Sequence, residues 1–286
     1  TTSLADDLHG RPPIYFLHPH RGGGTTICGL AQLAGEHTDV HKNCNWRFQH
    51  AELINEYDLS RTAPEEDAWT CERQTRSWRQ HGYTFVARES YLIAKPPGAS
   101  SVQVGEGGSG PQRPLLLCTG ALYVTVLRDP LARVAADYCM FGFMKANASL
   151  ALEEASSDKV LRGYWVGSRW SNYYTRVLLG REVFRQRELP PDALSAANRT
   201  LASFTVVVVV ERLEAQMPLL QRALGWSDHA LKRWRASPST NHLTPAACSR
   251  SNWSTELANG YARVNTLDLA LYDWWKAETE RRLLQL

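Results

Sequence analysis

Arg21-Gly22-Gly23-Gly24-Thr25-Thr26 combines a fixed positive charge, three residues without side chains and two hydroxyl donors in one short stretch. Consecutive glycines let backbone N–H groups turn toward one point, and a helix opening at Thr25 aims the positive end of its dipole there, so an anion is the expected guest. His18 and His20 flank the stretch and could orient a phosphate. A second cationic pair, Arg128 and Arg133, brackets Asp129-Pro130. Proline suits the first turn of a helix and aspartate its cap, which puts Arg128 at the junction of a strand and a helix N-terminus. Glu89 follows an apolar run and is expected at a strand's C-terminal end, where ligands gather in parallel α/β sheets. Asn172 and Arg176 lie four apart and share a helix face, suiting either ligand contact or a surface pair.

The elements that must position these groups are legible in the periodicity. Short apolar runs at 14–17, 83–87, 122–127 and 204–210 read as strands, the last β-branched and apolar on both faces. Apolar residues at helical spacing follow at 25–34, 131–138 and 215–225, and one long helix is expected over 255–286. Strand, loop and helix alternate, which implies one three-layer α/β domain over 1–286: a P-loop-like architecture with a mainly parallel central sheet flanked by helices. The glycine-rich, apolar-poor stretch at about 95–114 is expected to be a flexible insertion.

The remaining composition narrows the class. A net charge of +3 over 286 residues is too small to imply nucleic acid as a partner. No apolar run reaches membrane length, and Thr1-Thr2-Ser3 carries neither an initiator Met nor a signal peptide, so a processed segment is expected, with any membrane anchor outside it. Six cysteines without Cys-x-x-Cys spacing argue against structural zinc and leave disulfides open. The histidines and cysteines between 37 and 81 fit no zinc pattern, so no metal is expected. Sequons at Asn147, Asn198 and Asn252 suit a lumenal chain.

The glycine stretch lacks the Gly-x-x-x-x-Gly-Lys-Ser/Thr of nucleoside triphosphatases. It resembles instead the 5'-phosphosulfate loop of Golgi carbohydrate sulfotransferases, the heparan sulfate 2-O and 6-O group, through Phe16, Leu17, His18, Gly23, Gly24, Thr25 and Thr26. Arg21 stands where that family has its catalytic lysine, and Pro19-His20 replaces Ile-Pro. Arg128, Asp129, Pro130, Arg133 and Tyr138 match in register the family's Arg-Asp-Pro-x-x-Arg-x-x-Ser-x-Tyr, with Ala136 in place of the serine. Asn172 and Arg176 resemble a further donor-site segment. Glu211-Arg212-Leu213 resembles the end of the family's fourth strand, and Asn265-Thr266-Leu267-Asp268 its closing motif.

The resemblance implies 3'-phosphoadenosine 5'-phosphosulfate as donor cosubstrate. Its 5'-phosphate would be held by His20, Arg21, Gly22, Gly23, Gly24, Thr25 and Thr26, and its 3'-phosphate by Arg128, with Arg133, Asn172 and Arg176 nearby. Transfer would be in-line, Arg21 stabilising the departing phosphate and Glu89, or else His50, taking the proton of the acceptor hydroxyl. A glycan or glycoprotein acceptor and a Golgi-lumenal or secreted location follow from the family. Protein-tyrosine sulfation is the alternative within the class. A P-loop-like kinase, or a nucleotide- or glycan-binding protein without catalysis, are the alternatives outside it.

Overall fold

The computed structural model describes residues 11–39, 42–46, 71–89, 92, 117, 120–144, 168–180, 183–184, 186–236 and 249–286. The expected insertion at 95–114, and His50, lie outside them. The chain opens with β1 (Ile14–Leu17), α1 (Gly24–Leu33) and a 3-10 turn at Lys42–Cys44. After α2 (Cys71–Gln80) come β2 (Phe85–Arg88), β3 (Leu122–Leu127) and α3 (Pro130–Met144). Then α4 (Tyr173–Leu179) and α5 (Ala193–Ala202) lead into β4 (Val206–Val209), followed by a 3-10 turn at Val210–Arg212. The chain closes with α6 (Leu213–Leu224), α7 (Asp228–Ala236), α8 (Thr255–Val264) and α9 (Thr266–Leu283).

The described strands form a sheet of order β2-β1-β3-β4 in which every pairing is parallel. A central strand must then be apolar on both faces, and β1 is: Ile14 and Phe16 pack with Ile27, Leu30, Met217 and Leu220 of α1 and α6. Tyr15 and Leu17 face the other way, into a core with Trp78, Tyr173, Leu201 and Trp275 of α2, α4, α5 and α9. Helices therefore cover both faces, and the expected three-layer α/β architecture is what the chain adopts. The segment after α1 extends the sheet edge, bridging Thr38 to Phe85 and Asn45 to Ala87.

Because β1 pairs with both β2 and β3, the chain leaves β1 toward one edge and leaves β3 toward the other. The crevice between their C-terminal ends is the topological switch point, where open parallel sheets bind ligands. Both arginine motifs follow these two strands.

One expectation is overturned. The long helix at 255–286 is two helices, broken at Asn265, which ends α8 and opens α9 with φ −122° and ψ 25°. The break has a cause in reciprocal capping. Asn265 Oδ1 accepts from the backbone nitrogen of Asn172 (2.9 Å), and Asn172 Oδ1 accepts from the first N–H groups of α9 at Leu267 (3.0 Å) and Asp268 (3.3 Å). Asp268 in turn caps α4, accepting from Tyr174 N (2.8 Å), Thr175 N (2.9 Å) and Thr175 Oγ1 (2.8 Å). Four N–H groups at two helix starts are satisfied by two side chains, which a continuous helix would forfeit.

Candidate functional site

The glycine stretch is shaped by what packs against it. Gly22 N–H donates to Pro19 O (2.8 Å), closing a tight turn that sets Arg21 at φ 61°, and Gly23, the residue before α1, follows at φ 100°. A Cβ on Gly24 would overlap the His18 ring, and one on Gly23 would come 2.9 Å from Val210 Cγ2. The run thus lets a buried histidine and the end of β4 approach the backbone directly. α1 then begins at Gly24 with no side-chain cap at Gly23 and no acid in its first turn. Helix N-terminal N–H groups lack intrahelical partners, so this end is electropositive.

A disulfide, Cys28 to Cys44, fastens the Lys42–Cys44 turn to α1. It sets two asparagines beside the loop: Asn43 Oδ1 accepts from Thr25 Oγ1 (2.6 Å), and Asn45 lies 3.4 Å from His18 Nδ1 and donates to Glu89 Oε2 (3.3 Å).

Arg128 stands at the end of β3, and its Nη1 donates to the carbonyl oxygen of Arg21 (3.3 Å). The two arginine motifs, separated by more than a hundred residues, meet here. Their backbones are fixed from α4. Tyr173 Oη accepts from His20 N (2.9 Å); Tyr174 Oη accepts from Arg128 N and donates to Arg128 O, each at 3.1 Å. Burial raises the pKa of both phenols, keeping them protonated for these roles. Asp129 caps α3 as expected, accepting from Ala132 N (2.7 Å).

Three of the expected donor contacts are engaged within the protein, two of them buried and Asn172 half-buried. Arg133 is 0 % exposed, its guanidinium 4.3 Å from the Tyr173 ring centroid and donating to Arg169 O. Arg176 is 1 % exposed and directs its guanidinium to the carbonyls of Ser171 (2.8 Å), Val183 (3.3 Å), Gln186 and Arg187 (3.2 Å). Asn172 is occupied by α9. The Asn172 and Arg176 spacing therefore reports helix capping and loop anchoring. Glu211 is likewise structural, bridging Asp129 N (2.9 Å) and Tyr272 Oη (3.1 Å).

Beside the loop lies a buried charge cluster. His20 is 6 % exposed, its Nδ1 bonded to Glu89 Oε1 and its Nε2 2.8 Å from Asp137 Oδ1. Asp137, 0 % exposed, also receives Arg169 Nε (2.7 Å), Arg169 Nη2 (2.9 Å) and Trp170 Nε1 (2.9 Å). Arg169 Nη2 crowds His20 Nε2 as both donors converge on the same carboxylate oxygen. Burial alone would lower the His20 pKa, but the hydrogen bonds to Asp137 and Glu89 prevail and raise it. For Glu89, burial pushes upward, yet His18, His20 and Asn45 hold the carboxyl down to about 2. Burial lowers the His18 pKa, partly offset by Glu89 and Asn45.

Asp137, Arg169, Tyr173, Tyr174 and Asn45 carry this site without having been singled out from sequence. No local spacing joins residue 20 to residue 137; only the fold does. Among the described residues, no group of three or more His, Cys, Asp and Glu side chains could hold a metal ion, and no helix is long and apolar enough to cross a membrane. No protein-family model matches the chain, and neither does any curated protein.

Proposed function

We propose that the chain is a sulfotransferase that moves a sulfuryl group from 3'-phosphoadenosine 5'-phosphosulfate to a hydroxyl, with a glycan as acceptor. The observation that carries this reading is the Arg128 Nη1 to Arg21 O contact of 3.3 Å, which joins two cationic motifs at the switch point of a parallel sheet. A donor with phosphates at both its 5' and 3' positions needs two anion sites at one nucleotide's span. A triphosphate needs one continuous cradle with a lysine immediately before a metal-binding hydroxyl, and the glycine stretch has no lysine.

In this reading the 5'-phosphosulfate lies at the start of α1, on backbone N–H groups of Gly23 to Thr25, with Arg21 and the Thr25 and Thr26 hydroxyls beside it. Arg128 holds the 3'-phosphate. Charge developing on the departing phosphate is met by dipoles already in place, the electrostatic preorganisation expected to supply most of the rate. Arg21 fills the role of the family's lysine by charge and forked geometry and stays protonated throughout. Glu89 takes the acceptor proton. The Cys28–Cys44 disulfide is compatible with the oxidising secretory lumen that this function implies.

The test is transfer of radiolabelled sulfate from the donor to desulfated glycosaminoglycan chains, with a tyrosine-containing acidic peptide in a parallel arm. Label in the glycan supports the reading; label in the peptide moves the acceptor to tyrosine. Donor binding without label in either arm would leave the chain a nucleotide-binding protein.

A further inference from the structure

We infer that His20 is a positioning residue for Glu89: an imidazolium braced by Asp137 that holds the Glu89 carboxylate ionised and fixed beside the glycine loop. The inference rests on the sulfotransferase reading, in which Glu89 is the base. Its ground is geometric. Each ring nitrogen of His20 faces a carboxylate oxygen, Nδ1 that of Glu89 and Nε2 that of Asp137 at 2.8 Å. An ionised carboxylate only accepts, so a proton on each nitrogen satisfies both contacts and gives the ring its charge; Arg169 Nη2, which lies against Nε2, donates to the same Asp137 oxygen.

Asp137 is suited to the bracing role. It sits on α3 at 0 % exposure and is held by both Arg169 donors and by Trp170 Nε1, so it cannot swing away. The groups facing His20 come from several elements: His18 from the segment after β1, Glu89 from the end of β2, Asp137 from α3, Arg169 from the turn before α4, and Tyr173 from α4; Arg21 acts on His18. Glu89 is faced by His18, His20 and Asn45. Within the cluster the Glu89 and Asp137 carboxylates are balanced by the charges of His20 and Arg169, each in direct contact with at least one of them. That balance lets charges sit in a buried place, where an unpaired one would be strongly unfavourable.

In the reaction, the acceptor oxygen forms a bond to sulfur while the bond from sulfur to the bridging oxygen of the 5'-phosphate breaks. The electron pair stays on the departing phosphate, and the hydroxyl proton passes to Glu89, which later releases it to water. His20 loses no proton at any point. A carboxylate held this low is a weak base, so the proton moves late, once bonding to sulfur has acidified the hydroxyl.

Two measurements test this. In the wild-type chain, carbon-detected NMR should find the Glu89 carboxyl titrating well below its ordinary 4.5, and nitrogen-detected NMR should find the His20 ring titrating above its ordinary 6.5. A Glu89 carboxyl at or above 4.5, or a His20 ring below 6.5, overturns the inference. In His20→Gln, which removes the charge, the acid limb of kcat should rise into the range near pH 6, with kcat down about tenfold there and affinity for 3'-phosphoadenosine 5'-phosphate within about threefold. An unshifted pH profile would overturn the inference even if kcat fell, because a purely structural role lowers the rate without moving the limb. Failure of the wild-type chain to bind the nucleotide would defeat the sulfotransferase reading instead, leaving the NMR result to judge the charge state by itself.

Discussion

The Tyr174 hydroxyl lies 3.1 Å from both the backbone nitrogen and the carbonyl oxygen of Arg128, so one side chain on α4 completes both main-chain hydrogen bonds of the residue that ends β3. Its neighbour Tyr173 accepts from the backbone N–H of His20, and Asp268 holds the start of the helix that carries both tyrosines. The crevice is thus fixed from behind by a chain of buried polar contacts running from α9 through α4 to the two cationic motifs.

Tyr174→Phe tests that chain. It removes the hydroxyl bonded to both main-chain groups of Arg128, two part-buried hydrogen bonds whose loss should cost about 1–3 kcal/mol of stability. Thermal unfolding should show the loss, and nucleotide affinity should fall with it. Tyr173→Phe, which frees only the His20 N–H, should cost less.

Gly24→Ala tests the close approach of His18 to the loop. The added methyl would overlap the His18 ring, so the ring or the first turn of α1 must move. Donor binding should be lost even where the variant folds. The pair Gly24→Ala with His18→Ala should recover folding stability relative to Gly24→Ala, because the space is then vacated; calorimetric unfolding of the two variants beside the wild-type chain checks this.

Much of this was legible in sequence, and the division follows contact range. The strands at Ile14–Leu17 and Leu122–Leu127, the helix opening at Pro130 and the Asp129 cap all follow from periodicity and local chemistry, and the parallel sheet follows from their alternation. The reasoning failed where a residue's partner is remote. Asn172 and Arg176 look like a ligand-facing pair because four-residue spacing is shared by binding faces and by caps; only the presence of Asn265 and Asp268 decides for the cap. The His20 to Asp137 contact spans most of the first half of the chain and leaves no local trace.

The reciprocal caps should couple. Asn172→Ala and Asp268→Asn each remove partners from a helix start and should each destabilise by about 1–2 kcal/mol. Since α4 and α9 depend on one another, the double variant should lose less than the sum, a discrepancy readable in urea denaturation as a coupling of at least about 0.5 kcal/mol.

The charge cluster predicts a two-sided pH dependence of stability. Glu89 titrates at about 2 in the folded chain against an ordinary 4.5, so its contribution is complete above 4.5 and is lost as pH falls toward 2. His20 has the opposite sign: with its pKa raised from 6.5, its contribution is complete below 6.5 and is lost as pH rises through the folded value. The wild-type melting temperature should therefore hold a plateau between those limits. Glu89→Gln should flatten the acid side, and His20→Gln should flatten the alkaline side.

Of the three sequons, Asn198 is the one whose side chain is described, and it is occupied. Asn198 Oδ1 accepts from Trp275 Nε1 (3.1 Å) inside α5, and Thr200 is 0 % exposed. After expression through a secretory pathway, peptide mass mapping should find Asn198 unmodified; a glycan there would contradict the packing of α5 on α9.

The most direct test of the central claim is calorimetric titration of the purified chain with 3'-phosphoadenosine 5'-phosphate, beside adenosine 5'-phosphate and magnesium ATP, repeated on Arg128→Ala. The account predicts binding that requires the 3'-phosphate and weakens at least about tenfold in the variant, the loss of a charged hydrogen-bond partner. Preference for magnesium ATP, or equal affinity with and without the 3'-phosphate, would contradict it.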